Sequence, residues 1–320
     1  MDGFPVKLGF LYAGQGSQHP GMGIDLYETY PAFRSAFDDA RVGFDLKERC
    51  FTDCDGVLNQ TRYTQPCMVA FAAGLTAVLR QQGITPSIAA GLSLGEYSAL
   101  HAAGVFDART AVELAAFRGA AMEQAASGVE SAMVAILGLE REKLQVACEE
   151  ASRHGIVVIA NYNCPGQLVI GGEKTAVDQA VLLAKAAGAK RCMPLNVSGP
   201  FHTPLMAPAG VALEQRFQQI DFHAPSIPVI FNCLGDLNHS GHAIPDLLVR
   251  QVQSSVYMED SIRNMDAWGV DAIIEIGPGK ALSGFVRKTA PHIPMIAVET
   301  VADVEALPTW LSELKKENHQ

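Results

Sequence analysis

The chain has 320 residues, 48% of them apolar and 18% charged, and a formal net charge of −10, which suits a full-sized core in one large domain or a main domain with an insertion. The acidic balance argues against non-specific nucleic-acid binding, which needs basic surface to displace counterions. No run approaches the roughly 18 apolar residues of a membrane span, and Met1-Asp2-Gly3-Phe4 has neither the basic start nor the apolar core of a signal peptide, so a cytoplasmic protein with no nucleic-acid or membrane partner is expected.

Lys7 to Ala13 reads as a buried strand running into Gly14-Gln15-Gly16-Ser17-Gln18-His19-Pro20-Gly21-Met22-Gly23. Glycine density after a first strand suggests a dinucleotide loop. However, the third glycine of G-x-G-x-x-G falls on His19 and no G-x-x-x-x-G-K-S/T run occurs, so neither phosphate-cradling pattern is met. Two readings remain: an ordinary glycine-rich loop, or a flexible turn that brings the Gln15 backbone N–H to a reacting group as half of an oxyanion hole. From Leu26 to about Arg49 apolar residues recur at helical spacing, interrupted at Pro31. Thr64-Gln65-Pro66 then starts a long apolar helix, Cys67 to Gln82, which Gly83 closes.

Ile88-Ala89-Ala90 is a short strand leading into Gly91-Leu92-Ser93-Leu94-Gly95-Glu96-Tyr97, and a helix follows. A serine between two glycines, with strand before and helix after, matches a nucleophile elbow, a turn too tight for side chains at the glycine positions. Ser93 then stands at a helix N-terminus, whose free N–H groups favour negative charge developing on a substrate oxygen. A plain Gly-Ser turn is the alternative. Asp107 caps a helix through Ala126, with Arg118 in the middle among alanines and Gly119. That arginine either snorkels to water or projects into a cavity and holds an anion with its planar fork.

Between about Ser131 and Asn196 the rhythm changes to strand 132–137, helix 140–153, strand 156–161, a turn at Asn163-Cys164-Pro165-Gly166, strand 167–170, helix 173–187 and strand 190–195. The order β-α-β-β-α-β is that of a ferredoxin-like unit inserted into the larger domain, and the cleft between the two is the default ligand site. His202, within Gly199-Pro200-Phe201-His202-Thr203-Pro204, is one of nine histidines and stands out because it lies at an element boundary. Helix 204–220, strand 227–231, helices near 243–253 and 256–268, strand 272–276, a Gly277-Pro278-Gly279 turn, a helix through Arg287, strand 295–298 and a C-terminal helix with a polar, fraying tail complete an α/β pattern. The seven scattered cysteines show no zinc-site spacing, so reduced thiols and no metal are expected.

Six motifs together resemble, in order and spacing, those of the malonyl-CoA:acyl carrier protein transacylases: Gly14-Gln15-Gly16-Ser17-Gln18, Gly91-x-Ser93-Leu94-Gly95-Glu96-Tyr97-Ser98, Phe117-Arg118-Gly119, Asn163-x-Pro165-Gly166-Gln167, Phe201-His202 and Ile276-Gly277-Pro278-Gly279. The resemblance covers nearly the whole chain. It implies a hydrolase-like parallel-sheet core, residues 1–128 and 198–320, with a ferredoxin-like subdomain at 129–197. It also implies malonyl transfer from coenzyme A to the phosphopantetheine thiol of acyl carrier protein, for fatty-acid biosynthesis, through an ester on Ser93.

In that scheme His202 is the base of a serine-histidine dyad and a main-chain carbonyl near Gln251 orients its ring. The backbone N–H groups of Gln15 and Leu94 form the oxyanion hole. Arg118 pairs with the malonyl carboxylate, and Gln251, Asn163 and Phe201 complete the substrate-binding set, Phe201 crowding any substituent on the malonyl α-carbon. No permanently bound cofactor is implied; malonyl-CoA is a substrate, acyl carrier protein the partner, and a monomer is expected. Leu92 departs from the family, which often has histidine before the nucleophile, and bears on acyl preference. Competing expectations are an acyl hydrolase with the same dyad, a scaffold protein with a silent site, and a transacylase feeding a polyketide or polyunsaturated fatty-acid synthase.

Overall fold

Leu8-Gly9-Phe10-Leu11-Tyr12 and Ala272-Ile273-Ile274-Glu275-Ile276 are apolar at almost every position rather than alternating, which is the pattern of strands covered on both faces. They form neighbouring parallel strands in the computed structural model, which describes residues 6–317. Met1-Asp2-Gly3-Phe4 and the tail residues Asn318-His319-Gln320 lie outside the described residues. The elements begin with β1 (Leu8–Tyr12), α1 (Ile24–Thr29), α2 (Pro31–Asp38), α3 (Thr61–Gln81), β2 (Ile88–Gly91), α4 (Gly95–Ala102) and α5 (Ala108–Ala126). Next come β3 (Ser131–Leu137), α6 (Arg141–Ala151), β4 (Val157–Cys164), β5 (Gln167–Glu173), α7 (Lys174–Ala186) and β6 (Arg191–Pro194). The chain then continues through α8 (Ala207–Phe217), β7 (Ile230–Phe231), β8 (Asp236–Leu237), α9 (Ile244–Val252), β9 (Val256–Tyr257), α10 (Met258–Trp268), β10 (Ala272–Ile276), α11 (Ala281–Thr289), β11 (Met295–Val298) and α12 (Val301–Glu317).

The core sheet is parallel, in the order β11-β10-β1-β2, and a bridge from Ala89 to Val229 extends it. β1 and β2 are paired in register, Tyr12 beside Gly91, so both strands deliver their following loops to the same edge. The second sheet is built on β3 to β6 in the antiparallel order β6-β3-β5-β4, the ferredoxin-like arrangement, with α6 and α7 packed on one face. β9 adds a fifth strand, parallel to β4, from the part of the chain that has already returned to the core. The second sheet is therefore completed by a strand that the large domain supplies.

Several boundaries differ from the sequence reading. Helical spacing after Pro31 does not carry unbroken through to Arg49: α2 ends at Asp38, Gly43 adopts a left-handed φ of 81°, and winding resumes only at Leu46, running into a wide turn at Glu48–Thr52. α3 begins at Thr61 rather than at Pro66, because the Gln60 carbonyl accepts from Tyr63 and Thr64 N–H and nucleates the first turn earlier. Pro66 sits inside the helix and forfeits one backbone bond there. The early start places Thr61 where its hydroxyl accepts from Gln15 Nε2. Helix 204–220 opens instead with a tight turn at Pro204–Met206 and stops at Phe217, strand 227–231 shortens to β7, and the start of helix 256–268 is β9. All seven cysteines are free, and only Cys54 is exposed. Among the described residues no helix is long and apolar enough to cross a membrane.

Candidate active site

At the carboxyl end of β2 the chain reverses into α4 within three residues. Ser93 occupies the left-handed region, φ 52°, which a residue with a Cβ adopts only at a cost of about 1–3 kcal/mol. The flanking glycines are sterically required: a Cβ on Gly91 would overlap the Gly95 backbone, and one on Gly95 would overlap the Tyr12 carbonyl oxygen. Gly95→Ala is therefore expected to cost about 3 kcal/mol of stability through overpacking against rigid backbone, read as a depressed thermal midpoint. An unchanged midpoint would show that the elbow can relax.

Ser93 Oγ lies 2.6 Å from His202 Nε2, and His202 Nδ1 lies 2.9 Å from the Gln251 carbonyl oxygen. A carbonyl only accepts, so Nδ1 carries the ring proton and Nε2 is left to accept from the serine hydroxyl. His202 is buried, and burial, reinforced by the Arg118 charge, holds its pKa down at about 4 against an ordinary 6.5. The imidazole is thus neutral, and able to take a proton, throughout the physiological range.

Arg118 does not snorkel: it is 1% exposed. Its Nη2 donates to Ser93 Oγ at 3.1 Å and to Gln251 Oε1 at 3.0 Å, its guanidinium carbon stands 5.5 Å from the Tyr97 ring centroid, and its buried Nε has no partner among the described residues. Among the described residues no carboxylate is within ion-pair distance of it. A desolvated cation without a counter-ion is costly, and an arriving carboxylate relieves that cost. Gln251, fully buried, joins the parts: its carbonyl holds His202, its Oε1 accepts from Arg118, and its Nε2 donates to the Ser93 carbonyl at 2.7 Å.

The cleft in front of Ser93, about 450 Å³, lies between the two sheets and is lined by Gln15, Ser93, Asn163, Phe201 and His202 among others. Arg118 is outside that lining and reaches Ser93 Oγ from the buried side. The backbone N–H groups of Gln15 and Leu94 have no acceptor among the described residues, as donors kept for a substrate oxygen require. Asn163 is 8% exposed and its Oδ1 has no partner among the described residues. Seven of the eight residues singled out from the sequence are therefore at the cleft or within one hydrogen bond of Ser93 or His202, and the eighth, Leu94, adjoins Ser93 through the chain. Sequence reasoning assigns nothing to Gln65 or Asn232. Gln65 is buried beside Gln15, and Asn232 bonds Ser93 from 139 positions away. The one available signal for Asn232 was a polar residue ending a buried run, Val229-Ile230-Phe231.

Residues 9–320 match the family model described as acyl transferase domain. Malonyl CoA-acyl carrier protein transacylase of Bacillus subtilis is 41% identical over 315 residues, covering 98% of each chain. The crystal structure of malonyl CoA-acyl carrier protein transacylase from Clostridium perfringens superposes with a TM-score of 0.94 at 37% identity, covering 98% of this chain and 100% of that one. A malonyl-transacylase solved in complex with a type II PKS acyl-carrier protein superposes with a TM-score of 0.89 at 38% identity, covering 94% and 98%.

Proposed function

Because the chain belongs to the acyl transferase domain family, as a member of its malonyl CoA-acyl carrier protein transacylases, we propose that it carries a malonyl group from coenzyme A to the phosphopantetheine thiol of acyl carrier protein on Ser93. The observation that supports this most is the pair of contacts at His202, Nε2 to Ser93 Oγ and Nδ1 to the Gln251 carbonyl. As Oγ attacks the thioester carbonyl, His202 takes its proton, and the tetrahedral oxygen is held by Leu94 and Gln15 N–H, each such donor contributing about 3 kcal/mol. Collapse breaks the C–S bond, and His202 returns the proton to the departing coenzyme A thiolate. The second half runs in reverse: the carrier thiol gives its proton to His202, attacks the ester and frees Ser93.

Arg118 pairs with the malonyl carboxylate, exchanging its contact with Ser93 Oγ for a charge-assisted one. Asn163 lines the route of the acyl group and thioester arm, the buried Gln251 side chain holds the Ser93 carbonyl and Arg118 behind it, and Phe201 crowds the α-carbon. Thioester to ester to thioester is close to balanced, so no permanently bound cofactor is required. The same reading keeps 129–197 as a ferredoxin-like subdomain and 1–128 with 198–320 as the large domain, in a cytoplasmic monomer supplying fatty-acid biosynthesis.

Transfer is distinguished from hydrolysis by the lifetime of the acyl-enzyme in buffer. A malonyl ester that persists without a thiol acceptor and discharges to holo acyl carrier protein supports the proposal; rapid release of free malonate supports a hydrolase. The pH dependence follows from His202. Only the neutral ring acts as base, so kcat/KM falls as pH drops through about 4 and is flat from about pH 5.5 to 7. Because the folded-state pKa lies below the ordinary 6.5, the same group lowers folding stability progressively between about pH 6.5 and pH 4. An acid limb centred at or above 6.5 contradicts this.

A further inference from the structure

Ser93 is held in a conformation that its own sequence disfavours, so something outside the elbow must hold it there. Gln251 bonds the Ser93 carbonyl, and the preceding peptide is bonded by Asn232. Asn232 Oδ1 accepts from Ser93 N–H at 2.5 Å and its Nδ2 donates to the Gly91 carbonyl at 2.7 Å, so one amide spans the elbow from the end of β2 to the nucleophile. The partners fix the amide's orientation, since an N–H must meet oxygen and a carbonyl must meet nitrogen.

Asn232 is itself braced. Its backbone N–H donates to Glu96 Oε2 at 2.5 Å, on the first turn of α4, and its carbonyl accepts from Tyr257 N–H at 3.0 Å, on β9. Asn232 and Glu96 are fully buried, so water cannot replace these bonds. Resting on the transacylase reading, we infer that Asn232 is a positioning residue for acyl transfer: it clamps Gly91 to Ser93 and thereby aims Oγ at His202 and the Leu94 N–H at the forming oxyanion. It makes no hydrogen bond to Arg118, so it acts on the rate of acylation and not on malonyl-CoA binding.

The test is single-turnover malonylation at saturating malonyl-CoA, with intact-protein mass giving both amplitude and rate constant. Asn232→Ala is expected to reach wild-type amplitude with a rate constant about 100-fold lower, the effect of a small misplacement of reacting groups. Its half-saturating malonyl-CoA concentration stays within about threefold of wild type. Leu144→Ala, a cavity in the core of the second sheet, is expected to lower the thermal midpoint without changing the rate constant, separating stability from positioning.

Asn232→Asp decides the matter if the alanine variant does not fold. The neutral acid donates to Gly91 and accepts from Ser93 as the amide does, whereas the carboxylate cannot donate. Its rate relative to wild type therefore falls between about pH 6 and pH 9. The titratable or charged groups around that position are Glu96 on α4, Cys233 next in the chain and, across Ser93, Arg118 and His202. A wild-type rate constant in Asn232→Ala, or a pH-independent ratio in Asn232→Asp, overturns the inference alone. Absence of malonyl-Ser93 in the wild type overturns the transacylase reading and this inference with it.

Discussion

Replacing His202 with alanine is expected to slow malonyl-enzyme formation on the order of 10⁴-fold at neutral pH. Serine is a poor nucleophile until its proton has somewhere to go, and among the described residues that hydrogen-bond Ser93 Oγ only His202, through Nε2, is an acceptor; the other, Arg118 Nη2, is a donor. The two proposed oxyanion donors, Gln15 and Leu94 N–H, remain in the variant, so residual activity above the uncatalysed rate is expected rather than none. The Gln251 carbonyl loses its donor but keeps its backbone position in α9, so malonyl-CoA binding changes little. Quenched-flow detection of the ester reads the rate, and a loss below about tenfold would point to a different base.

The second large effect is one of selectivity. Arg118→Ala is expected to reduce malonyl transfer by a further factor on the order of 10³ beyond any loss of acetyl transfer, the cost of leaving a carboxylate without its charge partner in a half-buried site. Both substrates share a common loss, because Arg118 also touches Ser93 Oγ and Gln251 and packs on Tyr97. The malonyl-to-acetyl ratio cancels that part. Arg118→Lys keeps the charge without the planar fork and should fall between the two. Competition between malonyl-CoA and acetyl-CoA measures the ratio directly, and equal losses for both donors would remove the carboxylate-clamp role.

Local rules explain which features were legible in the sequence. Gly91 and Gly95 announce the elbow because the turn excludes a Cβ there, and Asp107 announces α5 because its carboxylate accepts from Thr110 N–H three residues on. The alternation of the 131–196 segment is likewise local, and its strands and helices fall within a few residues of expectation. What depends on distant partners was not legible. A buried arginine and a snorkelling one look alike in sequence, and only the packing of α5 against the elbow excludes the second. Pro66 reads as a helix start until the Gln60 carbonyl captures two N–H groups upstream of it. β9 is two residues long and exists because β4 presents an open edge to it. Asn232 carries no motif at all, since its partners Gly91, Ser93 and Glu96 lie some 140 positions earlier and meet it only where β7 comes alongside β2.

The most direct test of the acyl-serine account is intact-protein and peptide mass spectrometry after mixing the protein with malonyl-CoA, with and without holo acyl carrier protein. The account predicts one malonyl group per chain, carried on the peptide containing Ser93, stable in buffer, cleared on addition of the carrier with matching gain on its thiol, and absent from Ser93→Ala. A carrier protein that becomes malonylated at the wild-type rate by Ser93→Ala, or a malonyl group found on another residue, would contradict it.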